Sequence, residues 1–216
     1  DWYTKGTTIA SDEGSGPSDK EYAEKIQEHL KKYTYKEVDG FYQGTNTATA
    51  ANISNALADG RSWIAYFGHG SGTSWGSTND NFSVKTVDEL KNPTKLPILI
   101  DVACKNGSYT DIPRSFAKAW VTHSVDNTNA GAVAFLGGTV NISWHPPAVM
   151  SVGIAKYHFE KPVNTLGGSV LAGQLYLMEQ MGTGSEVTDN FKWYTLYGDY
   201  SLIIRTDIHK TFQVEH

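Results

Sequence analysis

Short apolar runs alternate along this chain with stretches in which apolar residues recur every three to four positions. Such runs have the length of strands buried on both faces, and the spaced positions are typical of amphipathic helices. Polar and glycine-rich segments separate the two kinds of element. The alternation predicts a mostly parallel sheet covered by helices on both faces. The predicted strands are residues 7–11, 37–42, 63–68, 96–104, 132–136 and 201–205.

Capping residues mark where the helices begin. Pro17-Ser18-Asp19 precedes Tyr22, Ile26 and Leu30, whose spacing is helical, so the first helix is predicted to start there with Ser18 or Asp19 as its N-cap. The other predicted helices are residues 47–57, 84–90, 113–123, 148–158 and 168–181.

Composition narrows the class of protein. The chain has 216 residues, enough for one domain with a sizeable core, and 39% of them are apolar. Its net charge is −5 and its lysines are scattered, which argues against nucleic acid as a partner. No apolar stretch reaches the length of a membrane span, so none is expected. A single cysteine excludes an internal disulfide and a cysteine-based zinc site, and the histidines have no metal-ligand spacing.

The single cysteine, Cys104, ends the fourth predicted strand, and His69 follows the third. If these strands are parallel neighbours, thiol and imidazole emerge at the same edge of the sheet, where open α/β sheets place their sites. A thiol beside an imidazole is a nucleophile with its base. Either residue alone is open to a plainer interpretation, because a free cysteine is often an inert buried thiol. Their shared setting favours a cysteine peptidase.

Acyl transfer by such a pair also needs hydrogen-bond donors for the oxyanion of the tetrahedral intermediate. The backbone N–H of Gly70 and that of Cys104 itself are the natural candidates. A glycine after the histidine lets the backbone approach the intermediate closely.

Two blocks carry a family resemblance. An apolar run ending in His69-Gly70 is followed by a second run ending in Asp101-Val102-Ala103-Cys104. This order resembles the caspase-type cysteine peptidases, and residues 66–76 and 101–107 are most similar to the histidine and nucleophile blocks of the gingipain family. Residues 1–2, 9–14, 139–147 and 194–205 match that family in the same order. The resemblance implies a caspase-like three-layer α/β/α sandwich with a six-stranded, mostly parallel sheet over residues 1–206. Residues 207–216 are then a tail or the start of a linker to a following module.

The resemblance also implies roles for individual residues. The family's acidic residue that orients the histidine falls on Glu13, for which a solvated loop carboxylate is the alternative. The aspartate that lines the specificity pocket of arginine-cutting members falls on Asp19, and the tryptophan that covers the P1 side chain falls on Trp144. Phe67 and Asn141 occupy further substrate-binding positions, but they depart from the family pattern: Phe67 is bulky, and Asn141 lacks the carboxylate of lysine-cutting members.

The resulting hypothesis is a secreted or cell-surface bacterial endopeptidase that forms an acyl-enzyme on Cys104. It is expected to cleave protein or peptide substrates after a basic P1 residue, with arginine favoured over lysine. No cofactor is expected for catalysis, whereas a structural calcium with unknown ligands is implied by the resemblance. An N-terminal subdomain, a prodomain or a following module are further expected partners, since the chain starts at Asp1 without an initiator Met or signal peptide. A sortase-like transpeptidase that trims secreted cargo, or a non-catalytic domain of the same fold, are the alternatives.

Overall fold

The computed structural model describes residues 1–161 and 163–206 of the chain; the tail predicted over 207–216 lies outside the described residues. Ten strands are present within this part. They are β1 (Lys5–Ala10), β2 (Glu37–Tyr42), β3 (Trp63–Phe67), β4 (Ser74–Trp75), β5 (Phe82–Ser83), β6 (Ile98–Val102), β7 (Ser124–Val125), β8 (Thr128–Asn129), β9 (Ala134–Gly138) and β10 (Tyr194–Tyr197).

Seven α-helices connect these strands in the described part of the chain. They are α1 (Asp19–Lys32), α2 (Ala50–Asp59), α3 (Val84–Asp88), α4 (Phe116–Thr122), α5 (His145–Glu160), α6 (Leu166–Met181) and α7 (Ser185–Trp193). None of the helices described is long and apolar enough to cross a membrane.

A six-stranded sheet forms the middle layer, in the order β10-β9-β6-β3-β1-β2. Every neighbouring pair is parallel except β10 and β9. The mostly parallel sheet and the three-layer sandwich predicted from the sequence are therefore confirmed. Strands β3 and β6 are parallel neighbours, as the expected meeting of His69 and Cys104 requires. Their register ends with Phe67 opposite Val102.

Both faces of the sheet are buried. Alternate residues of each strand point to opposite faces, so β3 sends Phe67 into one core and Tyr66 into the other. Helices α1, α5, α6 and α7 cover the first face, and α2, α3 and α4 cover the second. The second core is rich in stacked and edge-on aromatic rings, with Trp75 and Trp120 fully buried. Because both faces of the sheet are buried, the central strands are continuous apolar runs in the sequence.

The sixth strand is not where the sequence pattern placed it. Residues 201–205 form no strand, and Ile203 makes only an isolated bridge to Thr165. The edge strand is β10, which runs antiparallel to β9 directly after α7. The run at 202–204 is apolar, but Ile203 is 66% exposed, so burial in the sheet is not the reason for its composition. Helix α7 was not predicted.

The other predicted helices are present with shifted boundaries. Ser18, Thr49 and Thr165 cap α1, α2 and α6 by accepting a backbone N–H of the first turn. Helix α5 begins at His145 rather than at 148, because the following prolines fall in its first turn, where a missing N–H costs nothing. The segment predicted as a loop between β3 and α3 contains the β4–β5 hairpin.

An ion cluster closes the end of the sheet opposite the carboxyl ends of its parallel strands. The Arg61 side chain, 4% exposed, contacts Asp39 at 2.5 Å, Asp59 at 2.8 Å and Glu37 at 3.0 Å. Lys5 joins Asp59 at 2.7 Å and Glu37 at 3.0 Å. The hydrogen bonds from Lys5 and Arg61 lower the pKa of Asp59 to about 2. The cluster ties β1, β2 and the start of β3 together.

We expect Arg61→Ala to destabilise the fold by roughly 2 kcal/mol, because Asp39 loses its charged partner while Lys5 still contacts Asp59 and Glu37. Urea unfolding measures the loss. The matched control is Arg114→Ala, which breaks an exposed pair with Asp88 and should cost less than about 1 kcal/mol. Equal losses in the two variants would contradict a special role for the buried cluster.

Candidate active site

The pairing of β3 with β6 brings His69 and Cys104 to one edge of the sheet. Each lies two residues beyond the end of its strand, and Gly68 N–H donates to the Val102 carbonyl at 3.2 Å just below them. Both residues line the same small pocket. It is walled by Asp19, Gly68, His69, Val102, Cys104, Ile142, Ser143 and Trp144.

The imidazole of His69 is oriented from two sides. Its Nε2 lies 3.1 Å from Oε2 of Glu13, and the edge of its ring meets Trp144 with 5.1 Å between ring centroids. With Nε2 engaged by the carboxylate, Nδ1 is the nitrogen left to exchange a proton with a thiol. The pair is open to water, since the His69 and Glu13 side chains are 57% and 49% exposed. The contact between Glu13 and His69 therefore contributes more to the orientation of the imidazole than to the stability of the fold.

The backbone of His69 is held by residues that the sequence patterns did not single out. Tyr66 donates its O–H to the His69 carbonyl at 2.8 Å, and the His69 N–H donates to Oγ of Ser77 at 2.9 Å. The Ser77 N–H closes the ring of contacts by donating to the Tyr66 oxygen at 3.0 Å. Burial raises the pKa of Tyr66 far above its ordinary value, so its hydroxyl stays a donor.

Asp19 is buried at the pocket wall, with 3% of its surface exposed. It does not cap α1: Ser18 is the N-cap, and Glu21 completes the capping box. The Asp19 carboxylate instead accepts a 2.6 Å hydrogen bond from the Ser11 hydroxyl. Burial raises its pKa, opposed by the Ser11 hydrogen bond and by the nearby Trp144 indole N–H, which itself falls short of hydrogen-bond geometry. The carboxylate is therefore only partly satisfied, and it faces the pocket.

Ser11 links the two acidic residues. While its hydroxyl donates to Asp19, its oxygen accepts the N–H of Glu13 at 3.0 Å. The Ser11 N–H is anchored in turn on the Phe67 carbonyl at 2.9 Å. The loop that carries Glu13 is thus fixed relative to both the sheet and the pocket. The only sequence signal for Ser11 is its place at the end of the first predicted strand.

Two residues predicted to bind substrate do not reach this pocket. Phe67 is fully buried and its ring stacks on Tyr22 beneath the sheet edge, because strand alternation turns it toward α1. Asn141 lines a separate cavity with Lys105 and Ser71. In their places the pocket is lined by Val102, Ile142 and Ser143. The Cys104 thiol lies 4.0 Å from the Ile142 carbonyl.

Gly70 packs closely on the nucleophile loop. A side chain at this position would come within 2.5 Å of the Cys104 carbonyl oxygen, so only glycine fits. Across the described residues, no hydrogen bond is recorded from the Gly70 N–H or the Cys104 N–H to another group of the chain. Both amides are accordingly available to a ligand.

A buried carboxylate lies three residues before Cys104. Asp101 is fully buried and accepts a 2.5 Å hydrogen bond from the indole N–H of Trp75. Burial raises its pKa from 3.8 to about 7, against the opposing effects of Trp75 and the Asn106 amide. Its second oxygen and Nδ2 of Asn106 have no partner at hydrogen-bond geometry in the described chain.

The donors for the expected structural calcium are not evident. Within residues 1–161 and 163–206, no group of three or more Asp, Glu, His or Cys side chains could hold a metal ion. The acidic residues Glu37, Asp39 and Asp59 do converge, but Arg61 and Lys5 already neutralise them.

Fold and site together are those of a cysteine peptidase domain. The model of peptidase family C25 matches residues 1–204, and the chain belongs to this family. Gingipain R2 of Porphyromonas gingivalis is 31% identical over 223 residues, which cover 99% of this chain and 29% of the relative. Gingipain R1 of the same species is also 31% identical, with 22% of its length covered. The chain thus spans less than a third of these relatives.

Solved structures agree on the fold. The crystal structure of the Arg-specific cysteine proteinase gingipain R superposes with a TM-score of 0.87 at 30% identity, over 95% of this chain and 48% of that one. A complex of the pro- and mature domains of Porphyromonas gingivalis RgpB gives 0.86 at 31% identity, over 95% of this chain and 49% of that one.

We expect stability to fall as pH rises through the titration of Asp101. Its folded pKa of about 7 lies above the ordinary value of 3.8, so the folded state holds the proton more tightly. The proton on Asp101 therefore stabilises the fold fully below the pKa that Asp101 has in the unfolded chain. This stabilisation is lost as the pH rises through the pKa of Asp101 in the folded chain, a change of up to about 4 kcal/mol. Urea unfolding at about pH 5 and about pH 8 should show this fall, and Asp101→Asn should remove most of it. An unchanged pH dependence in the variant would assign it to other groups.

Proposed function

We propose that this chain is the catalytic domain of a cysteine endopeptidase that uses a Cys104–His69 dyad. The observation that carries the proposal is the shared pocket of thiol and imidazole, with Glu13 on the far ring nitrogen of His69. An inert buried thiol would need neither an imidazole beside it nor an oriented one.

The geometry supports the following sequence of steps. Nδ1 of His69 takes the thiol proton, and the Cys104 thiolate attacks the scissile carbonyl carbon. The amides of Gly70 and Cys104 donate to the oxyanion that forms. The C–N bond then breaks as His69 returns the proton to the leaving amine. Water, activated by the same imidazole, hydrolyses the acyl-enzyme. Throughout, Glu13 keeps the ring in the productive orientation and stabilises the imidazolium.

The lining of the pocket favours a basic P1 side chain, and it favours arginine over lysine. The half-satisfied Asp19 carboxylate supplies the negative charge at its wall, and the Trp144 indole offers a face on which a planar guanidinium can stack. Asn141 contributes no second carboxylate and lies outside this pocket, which leaves lysine with one fewer partner. The name of gingipain R, an Arg-specific proteinase, agrees with this preference.

The wider setting rests on the family resemblance. We propose a protein secreted or displayed at the surface of a bacterium, where it cleaves protein or peptide substrates. The chain spans only part of its relatives. We therefore propose that the domain works together with an N-terminal subdomain, a prodomain or a following module. A structural calcium belongs to the proposal as well, on the family resemblance alone and with its ligands unassigned.

The dyad is tested with a chloromethyl ketone that carries an arginyl P1 group. We expect modification of Cys104, detected by mass spectrometry, together with loss of peptide cleavage; Cys104→Ala should be neither labelled nor active. Folded protein in which Cys104 stays unmodified would contradict the proposal and favour a non-catalytic domain. Ligation of the acyl group to an added amine, in preference to hydrolysis, would instead indicate a transpeptidase.

The specificity pocket is tested by Asp19→Asn. We expect kcat/KM for arginyl substrates to fall by roughly 100-fold, because the guanidinium loses its buried counter-charge. A peptide library measures the preference before and after the change. The matched control is Asp111→Asn, which removes a carboxylate from the neighbouring cavity and should leave the P1 profile as it is. Cleavage by the unsubstituted protein after apolar or acidic residues would refute the P1 proposal.

A further inference from the structure

Two buried side chains attach the loop of the nucleophile to the loop of the histidine. Asp101 precedes Cys104 by three residues, and its Oδ1 accepts the Trp75 indole N–H at 2.5 Å. Asn106 follows Cys104 by two residues, and its Oδ1 accepts the Gly72 N–H at 3.0 Å. The two attached residues therefore lie on either side of Cys104 in the sequence. Both side chains belong to residues with no exposed surface, so neither can touch a substrate.

The loop attached in this way carries the Gly70 amide. Residues 69–76 form a tight reversal in which Gly70 lies opposite Trp75. It is closed by hydrogen bonds from Gly76 N–H to the His69 carbonyl at 2.8 Å and from Ser71 N–H to the Ser74 carbonyl at 3.3 Å. These bonds leave the Gly70 N–H itself unengaged. The plane of this amide is set by the His69 carbonyl of the same peptide unit, which accepts from Tyr66 and Gly76, and its distance from Cys104 depends on Gly72 and Trp75, through which the loop is attached.

The fit between the loops leaves little freedom. A Cβ built on Gly70 would lie 2.5 Å from the Cys104 carbonyl oxygen, 2.8 Å from Cβ of Ala103 and 3.0 Å from Cγ of Asn106. Gly70 thus packs directly on the segment that contains the nucleophile. A shift of Asn106 is transmitted to Gly70 by direct contact as well as through Gly72. Interiors packed this closely pass on displacements instead of absorbing them.

We propose that Asp101 and Asn106 are positioning residues that hold the Gly70 amide at the distance from Cys104 that an oxyanion requires. The inference rests on the proposed function, which assigns Gly70 to the oxyanion hole. Oxyanion donors act only if they are fixed before the charge develops, and these two contacts attach the loop of this donor to the loop of the nucleophile. The imidazole of the dyad is oriented separately, through Glu13.

Because the Gly70 amide and the His69 imidazole are positioned by different contacts, a kinetic experiment can distinguish their roles. Acylation by a peptide develops charge on oxygen and needs the Gly70 amide. Alkylation by iodoacetamide does not: the thiolate sulfur bonds to a tetrahedral carbon as the carbon–iodine bond breaks and iodide leaves. Alkylation therefore reports the thiolate and its histidine alone. A change that displaces only the oxyanion donor should slow the first reaction and spare the second.

The experiment is Asn106→Ala. We expect kcat to fall roughly 10- to 100-fold, less than the loss on deleting a donor outright, with KM within about threefold. Affinity for a peptide aldehyde, whose hemithioacetal carries the same oxyanion, should fall in parallel. The rate of Cys104 alkylation should stay within about threefold of the unsubstituted protein. The matched control is Asn92→Ala: this asparagine is equally buried, bonds Gly131 twice and lies before β6, so its loss should lower Tm without lowering kcat.

Three results would overturn the inference: an unchanged kcat, a rise in KM alone, or an equal loss of acylation and alkylation. If Asn106→Ala does not fold, Trp75→Phe gives the second measurement, because it retains an aromatic ring in the core and removes the donor to Asp101, at some cost in packing and Tm; the same kinetic signature is expected. Unsubstituted protein whose Cys104 is alkylated but which cleaves no peptide would overturn the proposed function and this inference together, whereas the three results above overturn the inference alone.

Discussion

The site depends on one pairing, that of β3 with β6 as parallel neighbours in a register that ends at Phe67 and Val102. Because parallel strands finish at the same edge, two residues far apart in sequence leave the sheet side by side. Both strands are buried on both faces, so a register slip would push apolar side chains of two cores out of place at once. The sheet pairing therefore places His69 beside Cys104 independently of the side-chain hydrogen bonds of the site. Hydrogen bonds then refine an arrangement that burial has already determined.

Much of this arrangement was predictable because it follows from burial and local capping. The parallel sheet, its central strands and the meeting of His69 with Cys104 come directly from apolar runs and turn residues. The edge strand was misplaced because residues 202–204 are as apolar as a strand but pack beside the α6 N-terminus, while Tyr194–Tyr197 carries the pairing with β9. Apolar composition reports burial, and it does not by itself distinguish a strand from a packed connection.

The pocket was predictable only where family resemblance supplied positions. Asp19 and Trp144 do line it, but Phe67 faces the core and Asn141 lines a separate cavity. Which face a strand residue takes depends on the register of the strand, and a shift of one residue gives the opposite face. Ser11, Tyr66 and Ser77 act through contacts that link distant loops, so no spacing in the sequence could reveal them. Asp101 did carry a signal, as a carboxylate inside an otherwise apolar run.

Strand β3 has different neighbours at its two ends. Arg61 gathers three carboxylates just before it begins, and His69 follows its last residue. Five residues of extended chain, about 17 Å, separate the ion cluster from the catalytic edge. Changes at sites this far apart, with no shared partners, add independently. Evolution can therefore alter the loops of the pocket, and with them the choice of substrate, while the opposite end of the same strand supplies the thermodynamic reserve that tolerates those changes.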